Sequence, residues 1–356
     1  MLALRDREWL PFYFNEIFSQ IQRGKRLKTA DHINGTMPYV SASTTNNGVD
    51  GFISNTTGVR IFNHCLTVVN IGNVGKSLYH NYEFVASDNV TALKNPAINR
   101  CVYLFLAPIV SRLEEKYDYG RIINDTRINK EIMLLPVTAG GNPDWKFMAD
   151  YIREREQRFV QRYVEHAEQI LHECNSKNVT PLAEKMWGEF ALSSGFSIQS
   201  TSSSIDKIKL AQGDGMYPYL TRTDRNNGID SFVCSQKNYA LDEGNCITIG
   251  LDTQTAFYQP IAFYTGQNIQ ILRNDNLNRY TAKFLLPLLK NLLTIFNWGS
   301  SGATLTRLRR SKILLPIDDN GKPDWAYMEQ YAKSVTRQQV QMYLTHVKAK
   351  QDYIVS

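Results

Sequence analysis

The chain has 356 residues, 43% of them hydrophobic and 21% charged, with a formal net charge of +6. That length suffices for two domains with a core each; no apolar run approaches the ~20 residues that span a bilayer, and the N-terminal residues, with acid among their bases, do not read as a signal peptide. A cytoplasmic protein is expected, with a mild pointer to an anionic partner, and five cysteines with no Cys-x-x-Cys pair argue against a disulfide framework and a zinc site.

In chain order, Trp9, Phe12 and Phe18 mark an apolar entry, followed by a basic window with Arg23, Lys25, Arg26 and Lys28. Met37-Pro-Tyr-Val40 then leads through Ser41-Ala-Ser-Thr-Thr45 to Asn46-Asn-Gly48. Asn-Gly between apolar positions predicts a hairpin, because both residues tolerate positive φ. Leu66-Thr-Val-Val69 reads as a strand, with Cys65 beside it as a buried small hydrophobe. Residues 102–106 have helical spacing and are expected to cover the sheet. Leu134-Leu-Pro136 exits into Gly141-Asn-Pro-Asp-Trp145, where Asp144 is the expected N-cap of a long helix. That helix runs from Trp145 to about Cys174, a length of about 45 Å. Met148, Ile152, Phe159, Tyr163 and Ile170 form its apolar stripe.

The same order then returns. Trp187, Phe190 and Phe196 match the entry residues at an offset of 178, and Tyr217-Pro-Tyr-Leu220, Thr221-Arg-Thr-Asp-Arg225 and Asn226-Asn-Gly228 match at 180. Cys246 matches Cys65 at 181, Arg307 matches Arg127 at 180, and Gly321-Lys-Pro-Asp-Trp325 repeats the exit at 180. Blocks in one order at a nearly constant offset mean an internal duplication. The second long helix, from Trp325 to about Lys348, carries Met328, Val335, Tyr343 and Val347. A single stripe on each long helix predicts an antiparallel coiled-coil pair; the alternative is a helix lying back on its own domain.

No catalytic constellation emerges. His166 and His172 are six apart on one helix and do not share a face, and no histidine recurs in the other half. Asn95-Pro-Ala97 lacks the residues of a methyltransferase tetrapeptide and reads as a turn. Glu114-Glu-Lys116 imitates the Glu-x-Lys half of a metal-dependent nuclease site, yet Leu293 and Ile295 stand at the matching places. No metal and no cofactor are expected in this chain.

Binding remains. Lys25, Arg26 and Lys28 suit phosphate contact. Between the halves the scaffold residues agree and the polar ones diverge: Ser41, Ser43 and Thr45 face the segment holding Arg222, Asp224 and Arg225, and Arg121 lies in a stretch that faces the one holding Ser300. Arg127 on one side meets Arg307, Arg309 and Arg310 on the other. Two copies of one fold with different polar surfaces are what reading two base sequences requires, with Arg for guanine and Asn or Gln for adenine. Surface drift after duplication produces the same pattern.

The twin Trp-x-x-Phe entries, the Pro-Tyr strands ending in Asn-Asn-Gly, Gly72-Asn-Val-Gly-Lys76 and the Leu-Pro exits into Pro-Asp-Trp helices carry a resemblance. The chain resembles the DNA-specificity (S) subunits of type I restriction-modification systems, and among them those of BcgI-like enzymes. The resemblance implies an α/β (α+β) fold: two tandem target recognition domains with pseudo-two-fold symmetry, residues 1–143 and 177–323, each followed by a spacer helix, residues 144–176 and 324–356. It implies a non-catalytic subunit in which each domain reads half of a bipartite double-stranded DNA target. The helices would set the gap and dock an adenine methyltransferase, or a fused nuclease-methyltransferase, that binds S-adenosylmethionine and, for cleavage, Mg. A spacer of about 45 Å suits half-sites one DNA turn, about 34–36 Å, apart. Phosphate contact by Lys76 does not carry over to the second half, which has Leu251-Asp-Thr253 there. Two other readings stay open: a nuclease or methyltransferase in its own right, and a duplicated adaptor that binds protein only.

Overall fold

The computed structural model describes residues 1–175, 179–211, 213–296 and 302–355. They form two compact units, Met1–Tyr163 and Val164–Ser356. Unit 1 runs β1 (Trp9–Tyr13), α1 (Phe14–Ile17), β2 (Gln20–Arg23), β3 (Asn34–Val40), β4 (Val49–Ile53), β5 (Ile61–Phe62), β6 (Cys65–Val69), β7 (Ser77–His80), β8 (Phe84–Ala86), β9 (Val90–Lys94), α2 (Arg100–Ser111), α3 (Asp125–Ile128), β10 (Ile132–Pro136) and the first part of α4 (Trp145–Glu173). One sheet has the order β2-β9-β6-β7 and a second β4-β3-β8-β5, with β3 and β8 parallel; β1 and β10 form an antiparallel ribbon.

The middle strand β6 shows why these residues form this body. It is buried throughout, and its alternation splits two apolar surfaces. Leu66 and Val68 pack with Val102, Leu106 and Val110 of α2, whereas Cys65 packs with Val40, Phe62 and Phe84 of the second sheet. The result is a helix, a sheet and a second sheet in layers. Each fully buried aliphatic side chain here contributes about 1.5–3 kcal/mol. The Cys65 thiol is pushed up to about 12 by burial, which keeps it an inert hydrophobe.

Unit 2 repeats the plan with the end of α4, β11 (Trp187–Ala191), α5 (Leu192–Gly195), β12 (Ser197–Ser200), β13 (Tyr217–Leu220), β14 (Ile229–Val233), β15 (Cys246–Gly250), β16 (Thr255–Gln259), β17 (Tyr264–Thr265), β18 (Ile269–Arg273), α6 (Arg279–Leu293), α7 (Leu305–Arg310), β19 (Lys312–Pro316) and α8 (Trp325–Val355). Its sheets are β12-β18-β15-β16 and β14-β13-β17, with the ribbon β11–β19. Ile247 and Ile249 pack under Leu285 and Leu289 of α6, and Cys246 packs with Leu220 and Phe263 of the other sheet. Trp9 stacks on Phe105 at 6.1 Å between ring centroids, and Trp187 on Phe284 at 6.2 Å.

Both long helices start on their expected caps. Asp144 Oδ1 accepts from the Phe147 amide at 2.9 Å and Asp324 Oδ1 from the Tyr327 amide at 2.9 Å. The second carboxylate oxygen takes a cation in each case, Arg7 at 2.9 Å and Lys185 at 2.7 Å. Burial opposes the charge of Asp144, but Arg7 and the Phe147 amide outweigh it, so its carboxyl titrates below the usual range. Asp144→Ala and Asp324→Ala should each cost about 1–2 kcal/mol. Urea unfolding checks this; a loss confined to a few tenths would mean that the caps are dispensable.

Part of the apolar stripe expected between the long helices serves their own domains instead. Met148 is fully buried in the core of unit 1 and Ile152 packs against it; Met328 is fully buried in the core of unit 2. These residues are consumed by their own domains, because the ribbon, α2 or α6 and the first turns of each long helix enclose one apolar space. Phe159 is 71% exposed, Tyr163 and Tyr343 are also exposed, and Val347 is buried. Val335 lines a groove of about 440 Å³ with Trp187, Phe284, Pro287 and Tyr331. Within unit 2, however, Ile170 and Cys174 at the end of α4 pack with Ala332 of α8 and Tyr280 of α6, and Arg337 donates to the Leu171 carbonyl at 3.4 Å.

Candidate nucleic-acid interface

Strand pairing gathers the variable loops of unit 1 at one end. Arg23 pairs with Thr91, Val40 with Ala86 and Val69 with Val90, so β2, β3 and β6 end where β8 turns into β9. Backbone bonds knit the loops together: Gly24 to Val90 at 2.9 Å, Ser87 to Val40 at 2.9 Å, Asn70 to Asn89 at 2.8 Å and Ile123 to Asn70 at 3.4 Å. This brings the windows of Lys25, Arg26 and Lys28, of Ser41, Ser43 and Thr45, of Lys76 and of Arg121 to a single edge.

The side chains there differ in freedom. Lys25, Arg26 and Lys28 are exposed, and none of their side chains has a hydrogen-bond or ion-pair partner among the described residues. The hydroxyls of Ser43 and Thr45 bond each other at 2.9 Å, and the Ser43 amide donates to Ser41 Oγ at 3.4 Å, so this loop is ordered by its own side chains. Lys76 is ion-paired with Glu114 at 2.7 Å, with 44% of its side chain still exposed. The cause is a close approach: a Cβ on Gly75, whose φ is +89°, would lie 2.3 Å from the Glu114 nitrogen. Arg121 lies over the Tyr117 ring at 5.3 Å. Arg127 donates to the Ile122 carbonyl at 2.7 Å.

Unit 2 gathers the same edge, since Ser200 pairs with Gln270, Leu220 with Thr265 and Gly250 with Ile269. Arg222, Asp224 and Arg225 are exposed on it, and Arg222 forms an ion pair with Asp252. Lys207 is paired with Asp230 at 2.8 Å and Lys209 with Asp206 at 3.5 Å. Arg307 donates to the Gly302 carbonyl at 3.0 Å, repeating Arg127, and Arg309 donates to the Ile198 carbonyl at 2.8 Å. Arg307 thus holds its own loop and Arg309 ties α7 to β12; Arg310 is exposed. Ser300 lies outside the described residues.

A clamp behind each reading loop was not visible in the residue types. Asn46 and Asn47 adopt left-handed φ of 50° and 55°, as Asn226 and Asn227 do at 48° and 57°. The Asn47 amide donates to the Tyr79 carbonyl at 3.1 Å, and His80 bonds Thr67 Oγ1 at 2.9 Å. In unit 2 the Asn227 amide donates to the Tyr258 carbonyl at 2.9 Å, and Gln259 donates to Thr248 Oγ1 at 3.2 Å and to the Asn227 carbonyl at 3.0 Å. His80 and Gln259 occupy matching places, paired with Cys65 and Cys246. The paired threonines and asparagines were a usable signal; the change of histidine to glutamine hid the third member.

The nuclease-like tripeptide disperses into structural pairs. Glu114 holds Lys76, Glu115 meets Arg112 at 3.5 Å, and Lys116 meets the buried Glu131 at 2.8 Å. Burial and the Glu131 carboxylate push the Tyr117 hydroxyl up to about 12. Among the described residues there is no group of three His, Cys, Asp or Glu able to hold a metal ion, and no helix long and apolar enough to cross a membrane.

A duplicated α/β module whose copies share a scaffold and differ in the polar loops at one edge defines a paired recognition protein. The chain belongs to the type I restriction modification DNA specificity domain family, whose model matches it twice, over residues 6–159 and 184–341. It is 38% identical over 165 residues to the specificity subunit S.BcgI of a type II restriction enzyme from Heyndrickxia coagulans. That match covers 46% of this chain and 48% of the relative, so about half the length of each is aligned. In structure it is similar to the S subunit of a type I restriction-modification system from M. genitalium, with a TM-score of 0.59 and 13% identity over 98% of this chain and 94% of that one. The latter likeness is one of fold.

Proposed function

We propose that this chain is the DNA-specificity subunit of a restriction-modification enzyme, not itself catalytic. Each unit binds one half of a bipartite duplex target, and the long helices set the gap and dock an adenine methyltransferase or a fused nuclease-methyltransferase subunit. S-adenosylmethionine, and Mg where cleavage occurs, belong in this reading to those partners. The observation that carries it is the shared edge: two units of one family of DNA specificity domains place unlike polar loops, Ser41–Thr45 and Thr221–Arg225, on the same clamped turn. Phosphate contacts from the basic window of unit 1 supply affinity, and loop side chains reaching base edges supply choice.

The chain assembled with its methyltransferase should select one bipartite sequence from a randomised duplex pool. It should also lose affinity when the two halves are moved apart by a few base pairs. Equal binding to every duplex at physiological salt would overturn the proposal, and binding with no salt dependence would favour an adaptor that recognises protein.

A further inference from the structure

Two connections end at the edge of unit 2, β13–β14 and β15–β16, and a single ion pair joins them: Arg222 to Asp252. The guanidinium is not buried by it, since 44% of the Arg222 side chain and 27% of the Asp252 side chain remain exposed. The loops themselves are closely fitted. A Cβ on Gly250 would meet the Thr255 and Thr253 hydroxyls at 2.8 and 2.9 Å and Arg222 Cα at 3.8 Å, and the turn beyond Arg225 is held by the Asn227 clamp.

An arginine carries five N–H donors in one rigid plane. A carboxylate engaging part of that fork fixes the direction of the rest, which is the condition for bidentate recognition. We propose that Arg222, oriented by Asp252, reads a guanine in the half-site bound by unit 2, donating to its O6 and N7. Asp252 is the positioning residue. The inference rests on the reading of the chain as a DNA-specificity subunit and names the chemistry of one contact within it.

Three observations favour a base contact over a phosphate contact. Four other bases of unit 2 are engaged within the unit: Lys207 and Lys209 with aspartates, Arg307 and Arg309 with backbone carbonyls. Arg225 is exposed three residues further along, and its side chain has no hydrogen-bond or ion-pair partner among the described residues, which suits a phosphate that needs charge without direction. In unit 1 the place of Arg222 is taken by Ala42, so the device serves one half of the target only, as two unlike half-sites require.

The test is selection from a randomised duplex pool by the assembled complex, with wild type, Arg222→Lys, Arg222→Ala and Asp252→Asn, together with the salt dependence of binding. Wild type should show one guanine in one half-site. Arg222→Lys should keep the salt dependence and lower the preference for that guanine by about five- to a hundredfold, and Arg222→Ala should abolish it. Asp252→Asn should weaken the same preference and no other. The assignment is overturned if Arg222→Lys leaves every base preference intact, or if Arg222→Ala lowers the salt slope by about one with preferences unchanged, the mark of a phosphate contact. It is also overturned if both arginine variants lower only the melting temperature, the mark of a loop staple. A wild-type complex without any sequence preference would instead bring down the underlying reading.

Discussion

Replacing Lys25, Arg26 and Lys28 together by alanine should weaken DNA binding on the order of a hundredfold at physiological salt. The three side chains stand in the connection that follows β2, at the edge where the loops of unit 1 converge, and among the described residues none is engaged by an acid. Free cations release counterions from DNA, and each phosphate neutralised contributes about −0.9 to the slope of log K against log salt. Three such contacts should therefore flatten the slope by about 2.7. The base preferences should stay as they were, because phosphate contact positions the protein and carries no sequence information. Lys207 and Lys209 are the control. They occupy the corresponding stretch of unit 2 but are held by Asp230 and Asp206, so their replacement should alter the slope much less. An unchanged slope in the triple variant would remove this window from the interface.

The second large effect is one of pH. His80 is fully buried, and burial lowers its imidazole from 6.5 to about 4. The folded state thus holds the ring neutral where the unfolded chain would protonate it. Its stabilising contribution is complete above pH 6.5 and is lost as the pH falls towards 4, because the unfolded state binds the extra proton throughout that window. The depression corresponds to about 3 kcal/mol. Carboxylates such as Asp144 and Asp150, held low in the folded state, add a loss of the same sign at lower pH. His80→Gln isolates the histidine, since Gln259 fills the same place in unit 2 and bonds the matching threonine. Urea unfolding at about pH 7.5 and pH 4.5 should show the wild type losing about 2–3 kcal/mol more than the variant between the two conditions. Equal losses would mean that His80 is reached by protons without unfolding.

The duplication, the hairpins, the covering helices and the capped helix starts could all be anticipated from residue pattern. They rest on local causes: Asn-Gly backbone preference, period-two burial of Leu66 and Val68, and the Asp144 and Asp324 caps. What could not be anticipated depends on partners far apart in the chain. Lys76, Arg127 and Arg309 are candidate DNA contacts by residue type alone; only the fold sets Glu114 and the carbonyls of Ile122 and Ile198 beside them. Asp252 drew no notice because an isolated aspartate in a loop carries no pattern; only the fold sets it against Arg222. The stripe of the long helices was legible only in part for a related reason. A run such as Met148 and Ile152 announces that a face is covered and leaves open by what, and here the domain itself covers it.

The turn behind each loop has a further consequence. In one unit a histidine and in the other a glutamine anchors it to the central strand, with the asparagine amide tied to the neighbouring strand in both. The five residues between the end of β3 or β13 and that turn, 41–45 and 221–225, therefore lie outside these anchoring side-chain bonds. They behave as a cassette: between the two units their sequence differs, Ser41-Ala-Ser-Thr-Thr45 against Thr221-Arg-Thr-Asp-Arg225, while the Asn-Asn-Gly turn that follows keeps the same backbone.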